Sequence, residues 1–282
     1  MFEGDSVELA ADVVGDSSAN AVVLLHGGGQ TRHAWGNTAI SIAKAGFCAV
    51  SLDLRGHGES SWAKDSDYGL DRFVADLRKV TQSLGPPVRA LVGASLGGIT
   101  SLVTQGEHPL TANAIVLVDI ATTARPEGVE RIIGFMQQKP EGFTSLAEVA
   151  EAVAAYQPQR KRPPNLAGLT KNVRLGSDGR YHWRWDPAFL ASTAPESSPL
   201  RKERLVAAAR ALRVPTLLVR GKLSDVISEA DALEFQSHVP HAELVDVRDA
   251  GHMVAGDSND VFSDAVVGFL RRSLQTPDQR NP

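Results

Sequence analysis

The stretch "LVGASLGGIT", residues 91–100, sets one serine among small residues directly after an apolar run. Gly93-Ala94-Ser95-Leu96-Gly97 fits G-x-S-x-G, and its position between a strand pattern and a helix pattern is what a nucleophile elbow requires. A sharp strand-to-helix turn crowds its neighbours, so small residues at 93, 97 and 98 relieve collisions that larger ones would create. The competing reading is a glycine-rich turn whose serine caps the following helix. What lies on either side of this stretch decides between them.

Outward from the serine, four apolar runs have the length and β-branched content of buried parallel strands: "AVVLLHG" from 21, "FCAVSLDL" from 47, "VRALVGA" from 88 and "AIVLVDI" from 114. Between the first three lie "GNTAISIAKAG" and "LDRFVADLRKVTQSLG", helical patterns that each end at glycine. "LGGITSLVTQGEHP" reads as the helix after the serine. Such alternation implies right-handed crossovers onto a mostly parallel sheet covered on both faces, with "SVELAADVV" adding an edge strand. The pattern pauses from about Ala121 to about Pro199. It resumes with "VPTLLVRG" from 214, helix "SEADALEFQSHV", strand "AELVDVRD" and helix "NDVFSDAVVGFLRRSL". The interruption contains helical "PEGVERIIGFMQQ" and "SLAEVAEAVAAYQ", then proline-rich "QPQRKRPPN" and aromatic "DGRYHWRWDP". Its "RKR" run reads as a solvated loop.

Composition narrows the function classes. A chain of 282 residues with 43% hydrophobic and 22% charged residues suits one large α/β domain carrying an insertion. The net charge of −4 gives no general attraction for nucleic acid or an anionic membrane, so neither is expected as a partner. The opening "MFEGDSVELAADVVGD" has no basic segment followed by an apolar run, and no stretch is long and apolar enough to suggest a membrane span; the expected location is cytoplasmic. Cys48 is the only cysteine, which leaves no intrachain disulfide and no cysteine-based zinc cluster; within "GFCAVSLDL" it reads as a small core residue.

Serine is a weak nucleophile at neutral pH and needs a base, with a third group to orient that base. "DAGHMVAGD" presents His252 in a glycine-flanked loop after the last strand pattern, where open parallel sheets gather their ligands. Asp225, in "KLSDVIS" after "VPTLLVRG", is the candidate orienting acid, with helix capping as its alternative; Asp119, closing "AIVLVDI", is the rival acid. A developing oxyanion needs donors, and the Gly28 and Leu96 backbone N–H groups are candidates, Leu96 standing at a helix start. His26 is read as holding its loop in shape, with a role as the base as its alternative. Neither a dinucleotide fingerprint nor a lysine-containing phosphate loop is present.

"HGGGQ", "DLRGHGES", "GASLGG", "GKLSDVIS" and "DAGHMV" occur in the order found in the α/β-hydrolase superfamily, and the resemblance spans nearly the whole chain. It implies a core at 1–120 and 200–282, a mostly parallel sheet of about seven or eight strands flanked by helices, and a helical cap inserted at 121–199. It implies Ser95 as nucleophile, His252 as base, Asp225 as orienting acid and Gly28 and Leu96 as oxyanion hole, with no metal or cofactor. Asp53, Arg55 and His57 are assigned to loop structure. Candidate cap residues facing the substrate are Phe135, Met136, Phe143, Tyr156, Trp183 and Trp185, with internal cap packing as the alternative for each. Ser95 argues against relatives that use aspartate at the elbow.

The expected activity is hydrolysis of a small or medium carboxylic ester through an acyl-enzyme on Ser95. Lactone opening, carbon–carbon hydrolysis and metal-free perhydrolysis use the same parts. Carbon–carbon hydrolysis would be favoured if Arg125, Arg131, Arg174 or Arg184 faced the cavity. No long apolar surface segment points to aggregated lipid. A small-molecule-sensing protein built on a hydrolase fold is the non-enzyme alternative, and the sequence leaves the oligomeric state open.

Overall fold

A computed structural model of the chain describes residues 1–158, 166–192, 199–248, 250–252 and 260–274. The "RKR" run at 160–162 lies outside the described residues. Among them, seven strands make one sheet: β1 (Ala11–Val14), β2 (Ala21–Leu25), β3 (Cys48–Leu52), β4 (Ala90–Ala94), β5 (Ile115–Val118), β6 (Thr216–Gly221) and β7 (Glu243–Val247). Their order is β7-β6-β5-β4-β2-β3-β1, every pair parallel except β1 with β3. The expected edge strand is therefore present as β1. Glu8–Leu9, just before it, pairs instead with Phe2–Glu3 in a small separate sheet.

Alternate residues of each strand feed opposite cores. Val22 and Leu24 face the side closed by α1 (Gly36–Lys44) and, near the chain's end, the helix Asp260–Leu274, where Trp35, Ile42, Phe262 and Phe269 are buried. Val23 and Leu25 face the side closed by α2 (Leu70–Ser83) and α3 (Leu96–Glu107), among Phe73, Leu77 and Leu102. Each such buried aliphatic side chain contributes about 1.5–3 kcal/mol. Cys48 is buried in this second core, and burial pushes its thiol pKa up.

β4 lies next to β2, while β3 follows β2 in sequence but lies on its other side. The loops leaving β2 and β4 therefore diverge at a topological switch point, where an open parallel sheet offers a crevice.

The interrupted stretch holds α4 (Pro126–Met136), with proline at its first turn, α5 (Leu146–Tyr156), capped by Ser145 accepting from Glu148 N–H, a 3-10 turn at Leu166–Lys171 and the short α6 (Ala188–Ser192). The aromatic stretch forms an antiparallel hairpin, Val173–Leu175 with Tyr181–Trp183, and its backbone docks on the turn after β3 through Gly58 N–H to Arg184 O and Asp186 N–H to Gly56 O.

Helix α7 (Pro199–Ala211) was not evident from the sequence, because its apolar residues do not gather on one face. It packs by close approach: a Cβ on Gly106 of α3 would come within 2.6 Å of Ala208 Cα. Two further helices follow among the described residues, α8 (Glu229–His238), opened by a Ser228/Asp231 capping box, and α9 (Asp260–Leu274). Among the described residues no helix is long and apolar enough to cross a membrane.

Candidate active site

Ser95 stands between β4 and α3 with φ 46° and ψ −115°, a left-handed conformation that costs a non-glycine residue about 1–3 kcal/mol. Its surroundings hold it there. Ser95 N–H donates to Val118 O at 3.1 Å, and Gly97 N–H donates to His26 O at 3.1 Å. A Cβ on Gly97 would meet Leu25 O at 2.4 Å, and one on Gly93 would meet Gly97 O at 2.3 Å, so strand and helix approach as only glycine allows. The under-filled turn seen in the sequence is this contact.

His252 lines the same cavity as Ser95, and its Nδ1 lies 2.6 Å from Asp119 Oδ2. Asp119 directly follows β5, fully buried, at φ 51°. Its carboxylate also accepts from Gly221 N–H at 3.0 Å and from Ser224 Oγ–H at 2.5 Å. Ser224 Oγ in turn accepts from Val226 N–H at 3.1 Å and Ile227 N–H at 3.3 Å, which aims its hydroxyl proton at Asp119.

The expectation of Asp225 in this place is corrected by these contacts. The carboxylate beside His252 is Asp119, and the residue of the 221–228 loop that reaches it is Ser224. Asp225 points the other way, its Oδ2 2.8 Å from Arg131 Nη1 in an ion pair about half exposed on both sides. Helix α4 crosses this loop so tightly that a Cβ on Gly128 would sit 2.3 Å from Asp225 O. One position of register thus separates a residue aimed into the site from one that ties down a helix.

The glycine loop after β2 is braced by two buried histidines. His26 Nδ1 is 2.7 Å from Gly27 O, and its Nε2 accepts from Leu54 N–H at 3.0 Å. His57 Nδ1 is 2.9 Å from Arg55 O, and its Nε2 accepts from Gly29 N–H at 3.1 Å. Both rings must be neutral to accept at Nε2, and burial lowers both pKa values, that of His57 to about 3 with His26 as the next cause. Gly27 N–H is taken by Gln30 Oε1 at 2.8 Å. The amides on either side of Gly28 are thus occupied, while Gly28 N–H meets no acceptor among the described residues and Gly28 lines the cavity. Leu96, as first residue of α3, has an N–H outside the helix ladder.

Asp53 and Arg55 lie in the structural shell of the turn after β3. Asp53 receives Arg32 N–H at 2.6 Å and Glu59 N–H at 2.9 Å. Arg55 clamps buried Asp76 with Nε–Oδ2 2.6 Å and Nη2–Oδ1 2.8 Å. Burial raises the Asp76 pKa against the opposing pull of this guanidinium.

The cavity has a volume of about 240 Å³. Ile132, Phe135 and Met136 of α4, Val153 and Tyr156 of α5, and Trp183 of the hairpin line its apolar side. Burial raises the Tyr156 phenol to about 12, with Asp225 adding to the rise. Two of the six anticipated lining residues do not line it. Phe143 is fully buried and packs edge-on against Trp183 at 5.1 Å, and Trp185 stacks on Trp183 at 4.8 Å, facing a second cavity of about 360 Å³. Nor does any of the four arginines that would favour carbon–carbon hydrolysis line the cavity. Arg131 pairs with Asp225, Arg174 lies over Trp62, and Arg184 donates to Val173 O.

Sequence reasoning did not anticipate Ser224, His33, Lys171 or Asn172 near the site. Lys171 ends a 3-10 turn and Asn172 follows it, a segment with no periodic signal to place them.

The family described as alpha/beta hydrolase fold matches residues 20–258. An esterase of Mycobacterium tuberculosis, Rv0045c, is 29% identical over 90% of this chain and 83% of its own length. The mouse sn-1-specific diacylglycerol lipase ABHD11 is 26% identical over 91% of this chain and 82% of its own. Among solved structures, an alpha/beta hydrolase from Novosphingobium aromaticivorans superposes with TM-score 0.80 at 25% identity, over 96% of this chain and 97% of that one.

Proposed function

The chain belongs to the α/β-hydrolase family, and on that premise we propose that it is a cofactor-independent serine esterase acting on small carboxylic esters. The observation that carries the reading is the 2.6 Å contact of His252 Nδ1 with buried Asp119, in a cavity that Ser95 and His252 both line. The named esterase and lipase relatives support ester hydrolysis. A cavity of about 240 Å³ favours a small ester over a diacylglycerol.

In this mechanism Asp119 holds the proton on His252 Nδ1, which leaves the Nε2 lone pair as the base. Ser95 Oγ attacks the ester carbonyl as Nε2 takes its proton. The carbonyl oxygen gains the charge and sits between the Gly28 and Leu96 amides, the latter at the positive end of α3. Nε2 then protonates the leaving alcohol. Water, deprotonated by Nε2, attacks the acyl-serine, and Ser95 recovers its proton as the acid departs. Residues 121–199 serve as the cap, supplying the apolar side of the cavity through α4, α5 and Trp183.

The test is turnover of short para-nitrophenyl esters together with labelling by a fluorophosphonate, each abolished in Ser95→Ala. A protein that hydrolyses no ester or lactone and takes no label overturns the reading in favour of a ligand sensor.

A further inference from the structure

The cavity's second side is polar and contains no carboxylate among the described residues. Lys171 is its one formal cation there, alongside Asn172, His33 and Thr31. Lys171 makes no ion pair among the described residues. The adjoining crevice, which Lys171 also lines, holds Asp53 and Glu59, and both are engaged by Arg32, Asp53 through Nη1 and Glu59 through Nη2 at 2.6 Å. Thr31 Oγ1 lies 3.5 Å from Asn172 Oδ1, and the Asn172 Nδ2 donors meet no acceptor among the described residues. His33 is held below its ordinary pKa by burial first, and Lys171 is among the charges that push it further down. An ammonium and an amide nitrogen that meet no partner among the described residues thus border the same space as Ser95, beside the aromatic residues of the cavity.

Resting on the serine-esterase reading, we propose that the natural substrate is an ester that also carries a carboxylate, seated on the Lys171 ammonium and the Asn172 side-chain amide. A carboxylate matches this pair because it accepts from both donors at once, and among the described residues lining the cavity there is no acid to repel it. The uncharged part of the substrate lies against Phe135, Tyr156 and Trp183. Lys171 is exposed, so the contact is one of selection at the rim and is weakened by salt.

Two matched substrate pairs test this: para-nitrophenyl pentanoate against the para-nitrophenyl monoester of glutaric acid, and para-tolyl butanoate against its para-carboxyphenyl counterpart. They put the charge on the acyl and alcohol sides respectively. The readout is the charged-to-neutral ratio of kcat/KM, which does not depend on how much protein is active. In at least one pair, that ratio falls about tenfold in Lys171→Met, falls further in Lys171→Glu and is retained in Lys171→Arg. Ratios that are the same in wild type, Lys171→Met and Lys171→Glu for both pairs overturn the proposal. If no ester is cleaved and Ser95 takes no fluorophosphonate, the esterase reading itself falls, and this inference with it.

Discussion

On the sheet side of the cavity, Asp119, His26 and His57 are fully buried, and both oxygens of Asp119 and both nitrogens of each ring are hydrogen-bonded. On the opposite side, Phe135 and Tyr156 are half-buried and stacked at 4.3 Å, and α4 is tied to the loop after β6 by the half-exposed Arg131–Asp225 pair. The first region leaves each polar group one geometry, because an unmet partner there costs about 1–3 kcal/mol. The second is held by stacking and a solvent-screened pair worth about 0–1 kcal/mol. In the proposed mechanism the chemistry falls on the side whose polar groups are buried and fully hydrogen-bonded, and substrate contact on the side held by stacking and a screened pair.

Substitutions on the two sides should differ accordingly. Ser95→Ala is expected to lower kcat by about 10⁶, measured against the same ester as wild type. Gly97→Ala forces its Cβ onto Leu25 O and should cost about 1–3 kcal/mol, lowering Tm by roughly 2–4 °C per kcal/mol in thermal unfolding. Across the cavity, Phe135→Ala removes the stack on Tyr156 and should raise KM about three- to tenfold with a smaller change in kcat. Arg131→Met should change stability by less than about 1 kcal/mol. Equal losses for Gly97→Ala and Arg131→Met would erase the distinction between the two sides.

Acid gives a further contrast. His57 is kept neutral in the fold with a pKa of about 3 against an ordinary 6.5, and His26 is shifted the same way. The unfolded chain therefore binds more protons over that interval. Stability from these rings is complete above the ordinary histidine range and is lost progressively as pH falls from 6.5 toward 3. Denaturant midpoints measured across that window should decline as the pH drops. A flat profile would mean that the two rings are not buried neutral braces.

The strands and most helices were legible because their signals are local: apolar runs of strand length, glycines past helix ends and a serine ringed by small residues. Ser95, His252 and Gly28, which line one cavity, were each marked in the sequence by a glycine-rich loop at a strand end. The acid was harder. Asp119 and Asp225 both follow apolar strands, and nothing local shows that Ser224 rather than Asp225 turns inward, since that follows from α4 crossing the loop at Gly128. Phe143 and Trp185 were indistinguishable from true lining residues because aromatic composition marks a packed cluster without marking its open face. Lys171 and Asn172 carried no pattern at all.

In the proposed mechanism Asp119, and not Asp225, orients His252. The most direct test is kcat of Asp119→Asn and Asp225→Asn on one ester, both folded by circular dichroism. Asp119→Asn should lose about 10⁴ in kcat, because an amide oriented by Ser224 and Gly221 no longer fixes the imidazole tautomer. Asp225→Asn should stay within about fivefold of wild type, as expected for a screened surface pair. The reverse ranking, with Asp225→Asn crippled and Asp119→Asn nearly normal, would contradict it.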